Sequence, residues 1–307
     1  MIIDRPEQLL AALLLEAACG YPAWLLRRVG HPVTWAGRAI VMMDRQWNRP
    51  GIDVAAGLIA SIVLLAIGSA AGWLIERLAG GWVGMLGVIL ITTTGLAQRS
   101  LWQHISALAV PLAQGDMELS RRALSAVVGR DTTALDEASM AAAGIETLAE
   151  SFCDGVVAPA FWFALLGLPG LFAFKCISTA DSMIGHRDLR YERFGKASAR
   201  VDDAMNWMPA RLSGMLICLA GGRGWRIMAR DASLHLSPNA GWPESAIAGV
   251  LGVRIGGGAF YDGEWIARPE LGDGPRAGVP ELHRAMRVYL RACLLLWLCV
   301  GGVAWLR

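Results

Sequence analysis

The sequence lacks the signatures that assign many chains quickly. Its six cysteines form no C-x-x-C pair, which argues against a zinc site and against a disulfide framework. Its net charge is only +2 and no basic stripe alternates with aromatic residues, so nucleic acid is not expected as a partner. It also has neither a G-x-x-x-x-G-K-[ST] phosphate loop nor an internal repeat of the kind that builds many transporters.

Long apolar runs are what the sequence has instead. Hydrophobic residues make up 55% of its 307 positions, and the mean hydropathy is +0.44. Residues 54–75 and 79–97 are uncharged over about twenty positions each, the length that crosses a hydrocarbon layer of roughly 30 Å. Both runs are predicted to be transmembrane helices.

A third uncharged run, residues 155–174, is long enough to span but contains Pro159 and Pro169. Backbone groups that proline frees need protein or water partners inside a membrane. The run therefore either crosses with a kink or dips in and returns, and the sequence leaves both open. Shorter apolar runs either span with help from their flanks or lie buried: 9–18, 212–220 and 292–306.

These runs predict an all-α, polytopic integral membrane protein with about four to six membrane-embedded helices and cytoplasmic helical and loop regions, as one domain over residues 1–307. Residues 27–53 carry more arginine than acid, which favours the cytoplasmic side, and a hairpin over 54–97 returns the chain to that side. A multi-pass protein of the cell inner membrane with a site facing the cytoplasm is expected. That site should come from the charged connecting regions: 98–154, 175–211 and 223–291.

The region before the third run predicts a helix. Asp131, Thr132 and Thr133 are residue types that cap the first amides of a helix, and Asp136 suits the positive end of its dipole. Gly155 is typical of a helix end and is expected to stop it.

Three carboxylates follow one another on a face of this helix. Glu146, Glu150 and Asp154 are four residues apart, and unpaired acids at that spacing repel. Two interpretations stay open: a solvated helix face, or a divalent cation that bridges the acids to phosphate oxygens, as Mg²⁺ does.

A second polar block, "STADSMIGHR", begins at Ser178, directly after the third apolar run. Lys175, Asp181, His186 and Arg187 lie in or beside it. Lys175 either extends to the interface or binds an anion, and His186 is either an interfacial side chain or a ligand.

The block continues in "ASARVDDAMNWMPAR", where Pro209 is expected to end a helix. Arg200 and Asp203 are spaced for a surface ion pair, and Asp202 and Asn206 for a shared helix face. Acids and bases this dense beside a membrane indicate a site for a polyphosphate and its metal. Farther on, "SPNAGWP" at 237–243 and a glycine-rich stretch at 252–264 form either flexible turns or backbone cradles for an anion.

Together the blocks "GRDT", "ETLAES", "DGVVAP", "STADSMIGHRDLRYERFGKASARVDDAMNWMPARL" and "SPNAGWP" resemble the adenosylcobinamide-phosphate synthase family of cobalamin biosynthesis, called CobD or CbiB. The likeness runs from about residue 20 to the last apolar run and is densest over 129–211. The chain departs from the usual pattern at Tyr21, Ser151 and Ser178, where the family commonly has Asp, Asn and Asn.

The resemblance implies an integral-membrane ligase that uses ATP and Mg²⁺ to join an amino-alcohol phosphate, such as aminopropanol phosphate, to a propionate carboxyl of adenosylcobyric acid. Its partners would be these substrates, the lipid bilayer and other membrane enzymes of nucleotide-loop assembly. The residues expected to carry the reaction are, for catalysis, Glu146, Glu150, Asp181 and Lys175; for substrate and phosphate binding, Arg130, His186, Arg187, Arg200, Asn206, Arg211 and Asn239; and for metal binding, Glu150, Asp154, Asp202 and Asp203.

Two other classes compete with this interpretation. A non-catalytic membrane sensor or scaffold of the AmpE-like type shares a distant likeness but has no need of dense acid and base blocks. A transporter is expected to carry an ionisable residue in mid-span, and the two clearest apolar runs contain none.

Overall fold

The computed structural model describes residues 5–186, 190–261 and 263–306. Helices dominate this part of the chain, which confirms the all-α class. The helices are α1 (Arg5–Cys19), α2 (Ala23–Val29), α3 (Pro32–Trp47), α4 (Asp53–Leu78), α5 (Gly81–Thr93), α6 (Gln98–Ala113), α7 (Met117–Ser125), α8 (Glu137–Phe152), α9 (Ala158–Leu166), α10 (Leu168–Ile184), α11 (Lys196–Gly221), α12 (Trp225–Asp231), α13 (Gly241–Leu251) and α14 (Val279–Trp305).

In the described residues, four short strands lie within residues 255–271. This region includes the glycine-rich stretch 252–264, for which flexible turns or backbone cradles for an anion were predicted. The strands pair antiparallel, β1 with β4 and β2 with β3. Their bounds are β1 (Ile255–Gly256), β2 (Ala259–Tyr261), β3 (Glu264–Ile266) and β4 (Glu270–Leu271).

Four helical segments in the described residues are long and apolar enough to cross a membrane, or up to five if the bent pair Arg5–Cys19 and Trp24–Trp47 counts as one. This number agrees with the predicted four to six and makes the chain a polytopic membrane protein. The segments are Asp53–Leu78, Gly81–Ala113, Glu137–Leu166 and Val279–Trp305.

The third apolar run does not form a single helix. The helix does not stop at Gly155, as the sequence had indicated, because it passes through a π turn, Cys153–Val157, into α9. The chain then breaks at Gly167, whose φ of 72° favours glycine, and α10 begins at the next residue. A Glu76 oxygen accepts from the Leu168 amide at 2.7 Å and so satisfies one of the free N–H groups of the new helix.

Helix α8 starts later than expected. Asp136 is its N-cap and accepts from the Ser139 amide at 2.8 Å. Asp131 instead closes a turn of its own by accepting from the amide and hydroxyl of Thr133. The capping prediction for residues 131–133 is therefore wrong, because local turn bonds compete with the helix for the same side chains.

Pro209 does not end α11, which continues to Gly221. A proline in a helix leaves the carbonyl four residues earlier without its usual donor. Here that carbonyl belongs to Met205, and the indole N–H of Trp162 donates to it at 3.2 Å. The substitute donor removes the penalty that would otherwise favour a helix end.

Contacts divide the chain into two compact units. The first comprises Met1–Ala97, Ala158–Asn206 and Val300–Arg307, and the second comprises Gln98–Val157 and Trp207–Cys299. The expectation of a single domain stays a prediction.

In the first unit, α4 packs closely along α10. Small residues make this approach possible, as is usual between membrane helices. A Cβ at Gly68 would lie 2.9 Å from the Phe172 backbone, and one at Gly72 would overlap the backbone of Leu168. Core side chains around this contact include Ile40, Leu64, Ile177, Ile184 and Phe194.

In the second unit, α8 packs against α6, α13 and β1. Gly144 permits the approach of Leu108 from α6 and Leu282 from α14. The Tyr289 hydroxyl donates to the Gln98 carbonyl at 2.8 Å, which fixes α14 to the start of α6. These contacts place the buried polar face of α8 opposite α13 and the strands.

We expect Gly72→Ala to destabilise the protein by about 1–3 kcal/mol, because the new methyl meets backbone that cannot rotate away. The matched change Gly87→Ala on α5 meets nothing within 4 Å and should be neutral or stabilising, since alanine favours helix over glycine. Thermal unfolding of both variants in one detergent measures the difference. Equal shifts in Tm would contradict the packing account.

Candidate functional site

A buried carboxylate, Glu146 of α8, lies at the centre of the polar contacts in the second unit. Its side chain is only 3% exposed. Oε2 accepts from Arg130 at 2.5 Å and from Arg268 at 3.5 Å, and Oε1 accepts from the Gly256 amide at 2.8 Å. A buried charge is tolerated only with such partners. Both oxygens are therefore held by donors.

Each partner comes from a different segment. Arg130 lies in the loop before α8, and that loop is anchored because the Asp131 amide donates to the Phe260 carbonyl of β2 at 2.9 Å. Gly256 belongs to β1, and Arg268 lies between β3 and β4. The single carboxylate thus holds the glycine-rich strands and the loop against α8.

Glu244, in the first turn of α13, is a second buried carboxyl group, 1% exposed. Its Oε1 lies 3.7 Å from Nε2 of His235, and Oε2 has no hydrogen-bond partner among the described residues. Burial raises its pKa well above the ordinary value, and the charges of Glu146 and Glu150 add to the effect, while Arg268 and Arg130 oppose it.

His235 is held as a neutral ring. Its Nδ1 accepts from the Ser237 amide at 3.0 Å, and its Nε2 lies 3.3 Å from Nη2 of Arg268. Burial lowers the pKa of His235, and the nearby Arg268 lowers it further.

The electrostatic surroundings of Glu244 follow from these contacts. Burial is the largest effect and favours the neutral acid. The nearby carboxylates of Glu146 and Glu150 act in the same direction, and the guanidinium groups of Arg268 and Arg130 act against it.

The first unit presents a different polar surface at the end of α10. Lys175, Ser178 and Ser182 line one wall of a groove of about 720 Å³, and Arg38 of α3 lies on the other. The Ser182 hydroxyl donates to the Ser178 carbonyl at 2.9 Å, which leaves its oxygen lone pairs as acceptors. The "STADSMIGHR" block is therefore polar where it lines this groove.

Acidic residues also gather in the first unit. Burial raises the pKa of Asp181, the charge of Asp203 raises it further, and His186 opposes the shift. On α11, the buried Asp202 accepts from the Asn206 amide group at 2.9 Å. Within this unit, Asp203 and His186 therefore lie close enough to Asp181 to act on its charge, and Asn206 holds Asp202.

The other predicted residues are distributed as follows. Glu150 is exposed, and Asp154 and Lys175 are half-buried; Arg200 and His186 are exposed. Asn239 is buried just before α13. Arg187 lies outside the described residues.

Arg211 has a role that its sequence context did not indicate. Its guanidinium lies over the rings of Trp207 and Trp242, 4.1 and 4.6 Å from their centroids, and donates to the Trp207 carbonyl. Such stacking is favourable for arginine. The group is therefore engaged by aromatic rings, and its phosphate-binding role stays a prediction.

The acids do not form a ready metal cage. Among residues 5–186, 190–261 and 263–306, no three His, Cys, Asp or Glu side chains are grouped closely enough to hold an ion. Mg²⁺ commonly takes only one or two carboxylates and completes its shell with water and substrate phosphates. The donor set therefore fits a Mg²⁺ that arrives with a nucleotide better than a resident ion.

Three residues of the buried cluster escaped the sequence analysis: His235, Glu244 and Arg268. A signal existed for Glu244, because it is the single charge in the apolar helix "GWPESAIAGVL". His235 and Arg268 gave none, since a histidine in a loop and an arginine in a glycine-rich stretch are ordinary surface residues in a sequence.

The fold and these buried charges define a polytopic membrane protein with a polar, partly buried site. The family model described as CobD/Cbib protein matches residues 9–289. Curated relatives named Cobalamin biosynthesis protein CobD are 42% identical in Rhodobacter capsulatus and 41% in Rhizobium meliloti, each over 96% of both chains, and 44% identical in Brucella anthropi over 85% of this chain and 84% of the relative. No solved structure matches. The chain belongs to the CobD/CbiB family of cobalamin biosynthesis, as its motifs had indicated.

The pH dependence of stability tests the state of Glu244. Its folded-state pKa lies above the ordinary value of 4.5, so its contribution is fully present below pH 4.5 and is lost as the pH rises through the folded-state pKa. We expect Glu244→Gln to remove this loss of stability as the pH is raised above 4.5.

The measurement is the free energy of unfolding in detergent across that pH range. Glu264→Gln, at an exposed position of β3, is the matched control and should keep the wild-type slope. A Glu244→Gln protein with the wild-type slope would show that this carboxyl is not held protonated.

Proposed function

We propose that this chain is an ATP-dependent amide-forming ligase. It joins an amino-alcohol phosphate, such as (R)-1-aminopropan-2-ol phosphate, to a propionate carboxyl of adenosylcobyric acid and yields adenosylcobinamide phosphate. The observation that carries the proposal is the buried cluster of Glu146, Arg130, Arg268 and Glu244 in a chain whose family match covers residues 9–289. Buried charges are costly and concentrate at functional sites, which favours an enzyme over a scaffold.

The chemistry explains why such a site needs cations and a base. A carboxylate does not react with an amine until it is activated, and an acyl phosphate is the simplest activated form. The carboxylate oxygen attacks the γ-phosphorus of ATP and ADP leaves. The amine, once it has lost its extra proton, attacks the acyl carbon, and phosphate leaves as the amide forms.

Roles follow from the contacts of the individual residues. Arg130 in the second unit and Lys175 in the first are each a candidate to stabilise charge on a phosphate. Asp181 is suited to accept the ammonium proton, since its raised pKa places it nearer to neutral pH than an ordinary aspartate. Glu146 positions Arg130 and Arg268, because its oxygens are already occupied by donors.

Mg²⁺ would supply charge neutralisation at the nucleotide phosphates. Carboxylates available to hold it together with nucleotide oxygens are Glu150 and Asp154 in the second unit and Asp202 and Asp203 in the first. We further propose that the protein lies in the inner membrane with the site toward the cytoplasm, which the excess of arginine in residues 27–53 supports, beside other enzymes of nucleotide-loop assembly.

Product formation tests the proposal directly. Purified protein in detergent receives Mg-ATP, adenosylcobyric acid and the amino-alcohol phosphate, and mass spectrometry detects the amide. We expect Arg130→Gln to lower the rate by roughly 100-fold or more, the usual cost of a lost oxyanion donor. The control Arg122→Gln removes an exposed arginine of α7 and should react like wild type.

Absence of the amide with all three ligands intact would favour the non-catalytic scaffold. A wild-type rate in Arg130→Gln would instead be compatible with ligase activity but would show that the buried cluster is not part of the active site.

A further inference from the structure

A small polar cavity lies beside Glu146 in the second unit. Its volume is about 70 Å³, and three guanidinium groups line it, those of Arg130, Arg254 and Arg276, together with the carboxylates of Glu146 and Glu270. The backbone fixes two of the arginines side by side, because residues 254 and 276 form a β-bridge and the Arg254 amide donates to the Pro275 carbonyl at 2.9 Å.

We propose that this cavity binds a small zwitterion that carries a phosphate at one end and an ammonium at the other. The inference rests on the proposed function and names the place of its amino-alcohol phosphate. It adds residues that the sequence analysis did not consider: Arg254, Glu270 and Arg276.

Size favours a small ligand. A cavity needs roughly 10–15 Å³ to admit a single water, so a cavity of about 70 Å³ admits a small ligand. That suits a phosphate with a short amino-alkyl chain and is far too little for a nucleotide or a corrinoid. Leu135, Ala142 and Ile255 supply an apolar wall against which a short hydrocarbon can pack.

Charge favours a zwitterion over a simple anion. Arg254 pairs with Glu270 at 3.2 Å, and Arg276 pairs with Asp136 at 3.2 Å and donates to Ser139 at 2.7 Å. These side chains are about half exposed, and ion pairs in such places are weak. The phosphate of the zwitterion can therefore bind both guanidinium groups, which match its geometry. The ammonium of the zwitterion can pair with the carboxylate of Glu270.

Binding to the intact protein in detergent tests this without ATP or corrinoid. Isothermal titration uses O-phosphoethanolamine as the zwitterion, inorganic phosphate as the anion alone and ethanolamine as the cation alone. We expect O-phosphoethanolamine to bind at least about tenfold more tightly than either fragment.

Three variants locate the site. Arg276→Gln and Arg254→Gln should each weaken O-phosphoethanolamine binding by about tenfold or more, whereas Glu270→Gln should weaken it without weakening inorganic phosphate. Arg276→Lys keeps the charge and should retain part of the affinity. Arg226→Gln is the control, since Arg226 is exposed on α12 and does not line the cavity.

Wild-type affinity in both arginine-to-glutamine variants would overturn the assignment, and so would an equal loss of phosphate and O-phosphoethanolamine binding in Glu270→Gln. The failure of the proposed function looks different. If the protein forms the amide but these variants bind O-phosphoethanolamine normally, the ligase proposal stands and the binding site is wrong. If binding changes as predicted but no amide forms, the binding site stands and the ligase proposal is wrong.

Discussion

The second unit depends on one buried carboxylate. The Glu146 side chain is only 3% exposed, so its charge must be matched by donors from the protein. The loop that carries Arg130, the strand that carries Gly256 and the segment that carries Arg268 all meet it. The shared acceptor therefore adds to the packing of buried apolar side chains such as Ile255 and Ala259.

The same low dielectric explains the neighbouring groups. Burial raises the pKa of Glu244, and the charge of Glu146 raises it further, whereas burial and the charge of Arg268 lower the pKa of His235. Perturbed groups of this kind concentrate at functional sites. A ligase that must bring a carboxylate, an ammonium and a polyphosphate together needs such control of charge, whereas a purely structural membrane protein would be more stable with an apolar core at these positions.

The membrane-spanning helices could be predicted from the sequence because the length and hydropathy of an apolar run determine whether it can span. Residues 54–75 lie inside α4, and residues 81–97 of the run 79–97 lie inside the span Gly81–Ala113. The prediction of helix ends failed where a residue distant in sequence determines whether a helix continues. Pro209 continues a helix because the Trp162 indole replaces a missing donor, and no local pattern reveals that indole.

The candidate site shows the same division. Glu146 was recognisable as one of three acids on a helix face, but nothing local distinguished it from Glu150, which is exposed while Glu146 is buried. Glu244 was recognisable in the sequence as the single charge in an apolar helix, whereas no sequence pattern distinguished Arg268. Burial of a charge is a property of the tertiary fold, so the sequence could name the residue types of the site but not which of them share it.

A double-mutant cycle on Glu146 and Arg268 tests the central claim most directly. Glu146→Gln, Arg268→Gln and the double variant are unfolded in the same detergent, and their free energies of unfolding are compared with wild type. If the carboxylate organises the unit, each single change costs about 3 kcal/mol and the double change costs less than their sum by at least about 1 kcal/mol. Additive losses would show that the two side chains act independently and would contradict the account.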